Sequence, residues 1–267
     1  MHYRRLGRTN LMVSEMVMGA FGKGALSHAR EALNLGLNYF DTASRYGQGK
    51  SEEAIGELCK EGLRERFIIA TKISEYHPTL DQLCDDQLKG LPSEKQNQIR
   101  KRATERIERL GVMRPGYHYQ LFNKHDSEIR RGHLTHTCLQ EFGYADRWKK
   151  NIRQTLDKAL DDCLSRLQTD DIDILHCPHG TRLPEELDDP ILAEFFQDAR
   201  QSGKIAHPAF STHSDVPRIL KHAAKLGHYD AAMVAYNIIN QGSMETALAE
   251  AASQGMGLIA MKTARAI

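Results

Sequence analysis

Apolar and polar positions alternate along this chain in two periods. Short continuous apolar runs recur in "GLNYFD", "GKIAHPAFS", "GHYDAAMVAYN" and "GMGLIAMK", each opened by Gly after a helical pattern. Gly just past a helix end admits the left-handed cap, and an unbroken apolar run reads as a strand buried on both faces of a parallel sheet. The runs predict strands at 15–20, 37–40, 67–71, 172–175, 205–210, 231–236 and 257–261. Between them the period is 3.6. Ile152, Leu156, Ala159, Leu160, Cys163, Leu164 and Leu167 form one stripe, opposite Arg153, Lys158 and Asp161. Further helices are expected to start near Ser27, near Ser51, where Glu52 and Glu53 suit the positive N-terminus, and near Pro190, Pro217 and Ser243.

Strands alternating with helices suit a right-handed parallel barrel or a doubly wound sheet. A doubly wound dinucleotide fold wants a Gly-rich turn of set spacing after a strand, and "GAFGKG" at 19–24 lacks that spacing. The expected fold is therefore α/β, a (β/α)8 TIM-type barrel forming a single domain over 1–267. Residues 74–149 break the rhythm as a long, mainly helical insertion after the third strand: a charged run, "SEKQNQIRKRATERIERLG", then the aromatic and His-rich "GYHYQLFNKHDSEIRRGHLTH". Without it about 190 residues remain, short of the ~250 of a full barrel, and the chain stops at Ile267 just after the seventh strand. The last βα unit is expected to be missing, which would leave two strand edges: either the chain is a fragment, or the insertion or a partner chain covers them.

Composition narrows the partners. Lys and Arg number 36 against 35 Asp and Glu, a formal charge of +1, so no field draws nucleic acid or an anionic membrane. The opening "MHYRRLGRTNLMVS" has no apolar signal segment, and no apolar run approaches the ~20 residues that span a bilayer, so a cytoplasmic protein acting on a small molecule is expected. Cys59, Cys84, Cys138, Cys163 and Cys177 are odd in number, scattered and never in CxxC pairs, and read as reduced structural residues. Cys177, beside His176 on a strand, should point to the opposite side.

In a parallel barrel all C-terminal strand ends face one mouth, where reactive groups gather. Asp41, Lys72 and His176 each end a successive strand, and Tyr46 follows in the loop after Asp41. Such a set suits proton donation to a carbonyl oxygen. A phenol is a weak acid at neutral pH, but a nearby ammonium stabilises its anion. Lys72 would supply that charge, Asp41 would hold it, and His176 would orient the carbonyl or share in proton delivery. None of these groups is an electron source, so reduction would need an external hydride donor such as a nicotinamide.

With "YRRLGRTNLMVSEMVMGAFG", "FDTASRYGQGKSEEAIGE", "ATK", "RLQTDDIDILHCP" and "SGKIAHPAFSTH" in this order, the chain resembles an aldo-keto reductase over most of 3–73 and 150–263. The resemblance implies a barrel, NADPH or NADH, a carbonyl substrate and a tetrad of Asp41, Tyr46, Lys72 and His176. It also implies cofactor contacts at Gly19 and Ala20, Ser211 and Thr212, Met261 and Lys262. "FSTH" and "GLIAMKTA" look most like the branch whose members often carry an iron–sulfur segment; no Cys-rich segment is present, so no cluster and no metal are expected. Departures from the family's pattern stand at Thr212 for an Asn, Met233 for a Gln and Met261 for a Tyr, and the segment that grips the adenosine phosphate is missing.

Each residue also has a plainer reading: Asp41 as a helix cap, Tyr46 as loop packing, Ser211 and Thr212 as turn caps, Lys262 as a solvated lysine. "HCPH" and "HLTH" hold histidines three apart, which without further ligands read as solvated or packed rings. The charged insertion helix reads as a solvated face, its place on the rim allowing a substrate lid. Two other functions stay open: a regulatory, nucleotide-sensing subunit without turnover, and a metal-dependent hydrolase built on His176, His179 and His213. Self-association is left open.

Overall fold

The computed structural model describes residues 1–20, 22 and 24–264. Phe21 and Lys23 of the Gly-rich turn, and Arg265 to Ile267, lie outside the described residues. A hairpin of β1 (Tyr3–Arg5) and β2 (Met12–Ser14) comes first. Then β3 (Met18–Gly19), β4 (Tyr39–Asp41), β5 (Ile68–Lys72), β6 (Ile172–His179), β7 (Ile205–Thr212), β8 (Ala231–Ala235) and β9 (Gly257–Met261) form one seven-stranded sheet in chain order. All of its pairings are parallel. The expected first strand at 15–20 is thus only Met18–Gly19; Met12–Ser14 pairs instead with the chain's own start.

The sheet curls on itself. Tyr39, Ile68, Ile174, Ala209, Met233 and Ile259, drawn from six strands, meet in a single apolar cluster, which a flat sheet could not bring about. These are alternate positions along each strand, so Asp41, Lys72 and His176, each two residues beyond a member of this set or of its neighbour Ala70, also face inward. The opposite parity, Phe40, Ile69, Leu175, Cys177 and Phe210, packs outward under the helices. Each such side chain removed from water stabilises the fold by about 1.5–3 kcal/mol.

The floor of the curl is stoppered by the hairpin turn. Leu6 and Val13 join the interior cluster, and Arg8 reaches Asp230 at 3.0 Å and the carbonyls of Gly227 and Tyr229 at 2.8 and 2.7 Å. Gly7 allows this approach: with φ +51°, a Cβ there would lie 2.4 Å from the backbone of Gly255 and Gly257.

Helices α1 (Ala25–Asn34) and α2 (Lys50–Lys60) follow β3 and β4, while α7 (Pro190–Gln201), α8 (Val216–Leu226) and α9 (Gln241–Ser253) follow β6, β7 and β8. The α7 start shows why it begins there: Asp189 accepts from the Ile191 N–H at 2.9 Å, and Pro190 takes the first helical position. Between β5 and β6 stand α3 (Tyr76–Lys89), α4 (Ser93–Leu110), α5 (His125–Phe142) and α6 (Asp146–Leu167). The predicted apolar stripe is the buried face of α6, packed on α2.

The inserted helices α3, α4 and α5 have a small core of their own, including Leu88, Ile99, Leu134 and the free thiols of Cys84 and Cys138, whose sulfurs lie 2.7 Å apart. Charges seat them on the barrel. Arg182, 4 % exposed, bonds Glu186 at 2.8 Å and Asp81 of α3 at 3.0 Å, and Glu186 also meets His77 at 3.0 Å. Burial pushes Glu186 up, but His77 and Arg182 outweigh it and hold the carboxyl at about 2. The 111–124 stretch crosses the mouth: Tyr117 donates to Asp215, and the ring of His125 meets the Ser214 hydroxyl at 2.9 Å. No helix among the described residues is long and apolar enough to cross a membrane.

Candidate active site

Asp41 and Lys72 end β4 and β5 as inward residues two strand positions above the apolar cluster. The Lys72 Nζ donates to Asp41 Oδ1 at 2.5 Å and to the Thr42 carbonyl at 2.8 Å, with 1 % of the lysine and 7 % of the aspartate exposed. Burial pushes the Asp41 carboxyl up, and the charge and hydrogen bond of Lys72 pull it back. An ion pair this buried is held in one geometry by its surroundings. Above it the Lys72 Nζ lies 5.0 Å from the centroid of the half-buried Tyr46 ring. Three of the expected tetrad are therefore brought together.

His176 pairs with Lys72 across β5 and β6 but is fully buried. Its Nδ1 lies 3.0 Å from the Phe210 carbonyl, which can only accept, so Nδ1 carries the ring proton. Burial first, then the charge of Lys72, push its pKa down to about 3, so the ring is neutral and Nε2 holds a lone pair. That nitrogen is buried without a hydrogen-bond partner among the described residues.

His179 stands where sequence alternation did not place it. From His176 to His179 is three steps on β6, but their partners on β7, Ala209 and Ser211, are two apart, so a bulge lies between. One extra residue restores the parity and turns His179 inward, one level above His176. Its ring meets Tyr46 edge-on at 5.9 Å between centroids, and its Nδ1 is 2.6 Å from the Ser74 hydroxyl. Burial, then Lys72 and Arg45, hold it neutral, well below the ordinary histidine value. The signal in the sequence was "HCPH": Pro178 cannot donate to a ladder, and within a strand it marks an irregularity.

A cavity of about 600 Å³ opens at this mouth. Its lining includes Arg45, Tyr46, His179 and His213, with Phe122 and Glu128 from the inserted segment. Arg45 and Glu128 were not foreseen, and Glu128 is out of reach of any motif because the insertion carries it. Val17, Gly19, Met233, Ile259, Met261 and Lys262 also line it, adding apolar side chains and a lysine.

Among the remaining residues expected at a cofactor, Ala20 is fully buried and its N–H goes to the Asp41 carbonyl at 2.8 Å. Ser211 accepts from the Gly180 N–H at 3.0 Å. The Thr212 hydroxyl lies 2.8 and 2.9 Å from the carbonyls of Thr181 and Ser214. Both hydroxyls are engaged in holding the rim loops, and neither residue lines the cavity. Among the described residues no group of three or more His, Cys, Asp or Glu is arranged to hold a metal ion.

Comparison with known proteins places this geometry. The aldo/keto reductase family model matches residues 23–265. The oxidoreductase YqkF of Bacillus subtilis is 25% identical over 246 residues, covering 90% of this chain and 58% of that protein. L-galactose dehydrogenase of Arabidopsis thaliana is 37% identical over 90 residues, 29% of this chain and 28% of that protein. Among solved structures, a Bacillus halodurans aldo-keto reductase in its holo form superposes with a TM-score of 0.58 at 26% identity, over 97% of this chain and 65% of that one. The chain thus spans 58% of the length of YqkF and less of L-galactose dehydrogenase.

Proposed function

This chain belongs to the aldo/keto reductase family, and on that footing we propose that it reduces an aldehyde or ketone to an alcohol with NADPH or NADH. The observation that carries this reading is the buried Asp41–Lys72 pair with its ammonium 5.0 Å from the Tyr46 ring, at the edge of an open cavity. Tyr46 is the proton donor to the carbonyl oxygen. The ammonium favours the negative charge left on the phenolic oxygen as that proton leaves, in a site where burial keeps the interaction strong. Asp41 fixes the ammonium's position.

Val17, Met233 and Ile259 would seat the nicotinamide, and Lys262 would meet an anionic part of the cofactor. When bound, the reduced nicotinamide supplies the hydride. A small carbonyl compound then has the Arg45, Tyr46, His179 and Glu128 side of the cavity.

Replacing Tyr46 by Phe removes one oxygen and leaves the ring. Tyr46→Phe is expected to lower kcat by about 10²–10⁴, measured as NADPH oxidation with 4-nitrobenzaldehyde, while NADPH binding, followed by calorimetry, is retained. Full activity in that variant removes Tyr46 from the mechanism. A second reading, a nucleotide-sensing subunit without turnover, is supported by the engagement of the Ser211 and Thr212 hydroxyls in the rim loops. Repeated turnover of any aldehyde ends it.

A further inference from the structure

The inserted helices α3 and α5 lie side by side in a fixed register. Thr135 of α5 donates to Asp81 of α3 at 2.7 Å, and one turn further along both helices the sulfurs of Cys84 and Cys138 stand 2.7 Å apart. Each of these contacts joins residues 54 positions apart in the chain, so the alignment that seats Thr135 on Asp81 also brings the thiols together. Arg131 holds the same seam, bonding Asp85 at 2.8 Å. Cys163 and Cys177 belong instead to the barrel's own core.

Both seam thiols are fully buried, packed with Leu88 of α3, Leu134 of α5 and, from α4, Ile99 and Ala103. Their sulfurs are within about 1 Å of bonding distance. The two are not equivalent. The hydrogen bond with Cys138 pulls the Cys84 thiol down, and the charge of Arg131 adds to that pull against burial; the same hydrogen bond, together with burial, pushes Cys138 up. Cys84 is therefore the sulfur that ionises first, and the thiolate is the reactive form.

We infer that Cys84 and Cys138 are a redox-active dithiol, a modification site that a hydroperoxide converts to a disulfide bolting α3 to α5. With hydrogen peroxide, the Cys84 thiolate attacks one oxygen, the O–O bond breaks, and hydroxide leaves and takes up the proton that Cys84 lost. Cys84 is then a sulfenic acid. The Cys138 sulfur attacks the Cys84 sulfur, the S–O bond breaks, and the hydroxyl leaves as water with the Cys138 proton. Two thiols and one peroxide thus give one disulfide and two waters, sulfur being oxidised and peroxide oxygen reduced. Because the sulfurs are buried, peroxide reaches them only as α4 lifts away, and the rate follows local opening of the insertion. The bond ties down the helix that carries Glu128 to the cavity lining. The site does not depend on the reductase reading.

The test exposes the reduced full chain to hydrogen peroxide, alkylates the remaining thiols and maps the peptides by mass. A peptide pair joined through Cys84 and Cys138 and released by dithiothreitol is expected, with amide exchange in α3 and α5 slowed about tenfold or more and the strands unchanged. In Cys138→Ala, dimedone should trap Cys84 as its sulfenic acid, whereas Cys84→Ala should leave Cys138 unlabelled. Should either variant fail to fold, the mapping of the parent chain still decides. Recovery of Cys84 and Cys138 as alkylated thiols while Cys59 is oxidised overturns the inference. A joined pair with unchanged exchange overturns the bolt, and dimedone on Cys138 in Cys84→Ala overturns the order of attack.

Discussion

The barrel rim and the seat of the inserted helices both rest on buried charge, yet they are built differently. At the rim a single pair, Lys72 and Asp41, stands on a floor of apolar residues contributed by every neighbouring strand. Under the insertion a web of charges from three separate segments meets: Asp81 of α3, Arg182 and Glu186 after β6, and Arg131 of α5. The apolar core of the insertion is small and lies on its own side of that web. The rim therefore combines hydrophobic packing with one buried ion pair, and the insertion is seated mainly by charges. The difference bears on function, because the lining of the cavity draws on both regions, Phe122 and Glu128 coming from the insertion.

Breaking one partner of each buried pair is the largest test of that contrast. Lys72→Met leaves the Asp41 carboxyl buried without its cation, and Arg182→Met removes one cation from the buried Glu186. Each is expected to cost about 3–5 kcal/mol. Lys72→Met should lower the urea midpoint of the whole chain. Arg182→Met should raise hydrogen exchange in α3 and α5 while the strands stay protected. Equal exchange in both regions would mean they open as one unit.

Acid gives a smaller and more selective effect. His125 and His133 of α5 are buried, 0 % and 1 % exposed, and burial first, helped by the charges of His118 and Arg106 respectively, pushes each down to about 4. In the unfolded chain both titrate near the ordinary value of about 6.5. Below that pH the unfolded state binds more protons, so stability is complete above it and is lost as pH falls from about 6.5 toward 4. At pH 5 the loss is about 2 kcal/mol for each ring, and it should appear as exchange in α5 before the strands. His125→Gln and His133→Gln together should reduce that pH dependence, the remainder coming from His176 and His179, whose rings burial likewise holds neutral; an unchanged slope would place its origin wholly outside α5.

The smallest effect is expected on the barrel's outer face. Lys158→Ala on α6 removes an exposed pair with Asp162 at 2.6 Å, and the midpoint should move by no more than about 0.5 kcal/mol. A larger shift would show that surface charge holds the barrel as well, and the contrast between the two regions would weaken.

The alternation of strands and helices and the approach of Asp41 to Lys72 were legible in the linear pattern. Parallel strands buried on both faces must be apolar throughout, and a polar residue ending such a run is conspicuous. The first strand was expected over 15–20, and only Met18 and Gly19 pair with the sheet. His179 was passed over because alternation counts residues, and a bulge changes the count only when two strands pair. Ser211 and Thr212 were expected at a cofactor, and their hydroxyls lie instead on rim-loop backbone.

Taken alone, the order of residues determined the architecture and the end of the barrel at which chemistry gathers, because periodicity and strand polarity are local properties of a chain. Tertiary structure alone decided which histidine looks into the cavity, what the Ser211 and Thr212 hydroxyls hold, and which insertion residues form a wall. Those outcomes depend on strand register and on charges meeting across more than a hundred positions of sequence, such as His77 with Glu186. No local pattern encodes such a meeting; it follows only once the sheet has curled and brought the two loops to one rim.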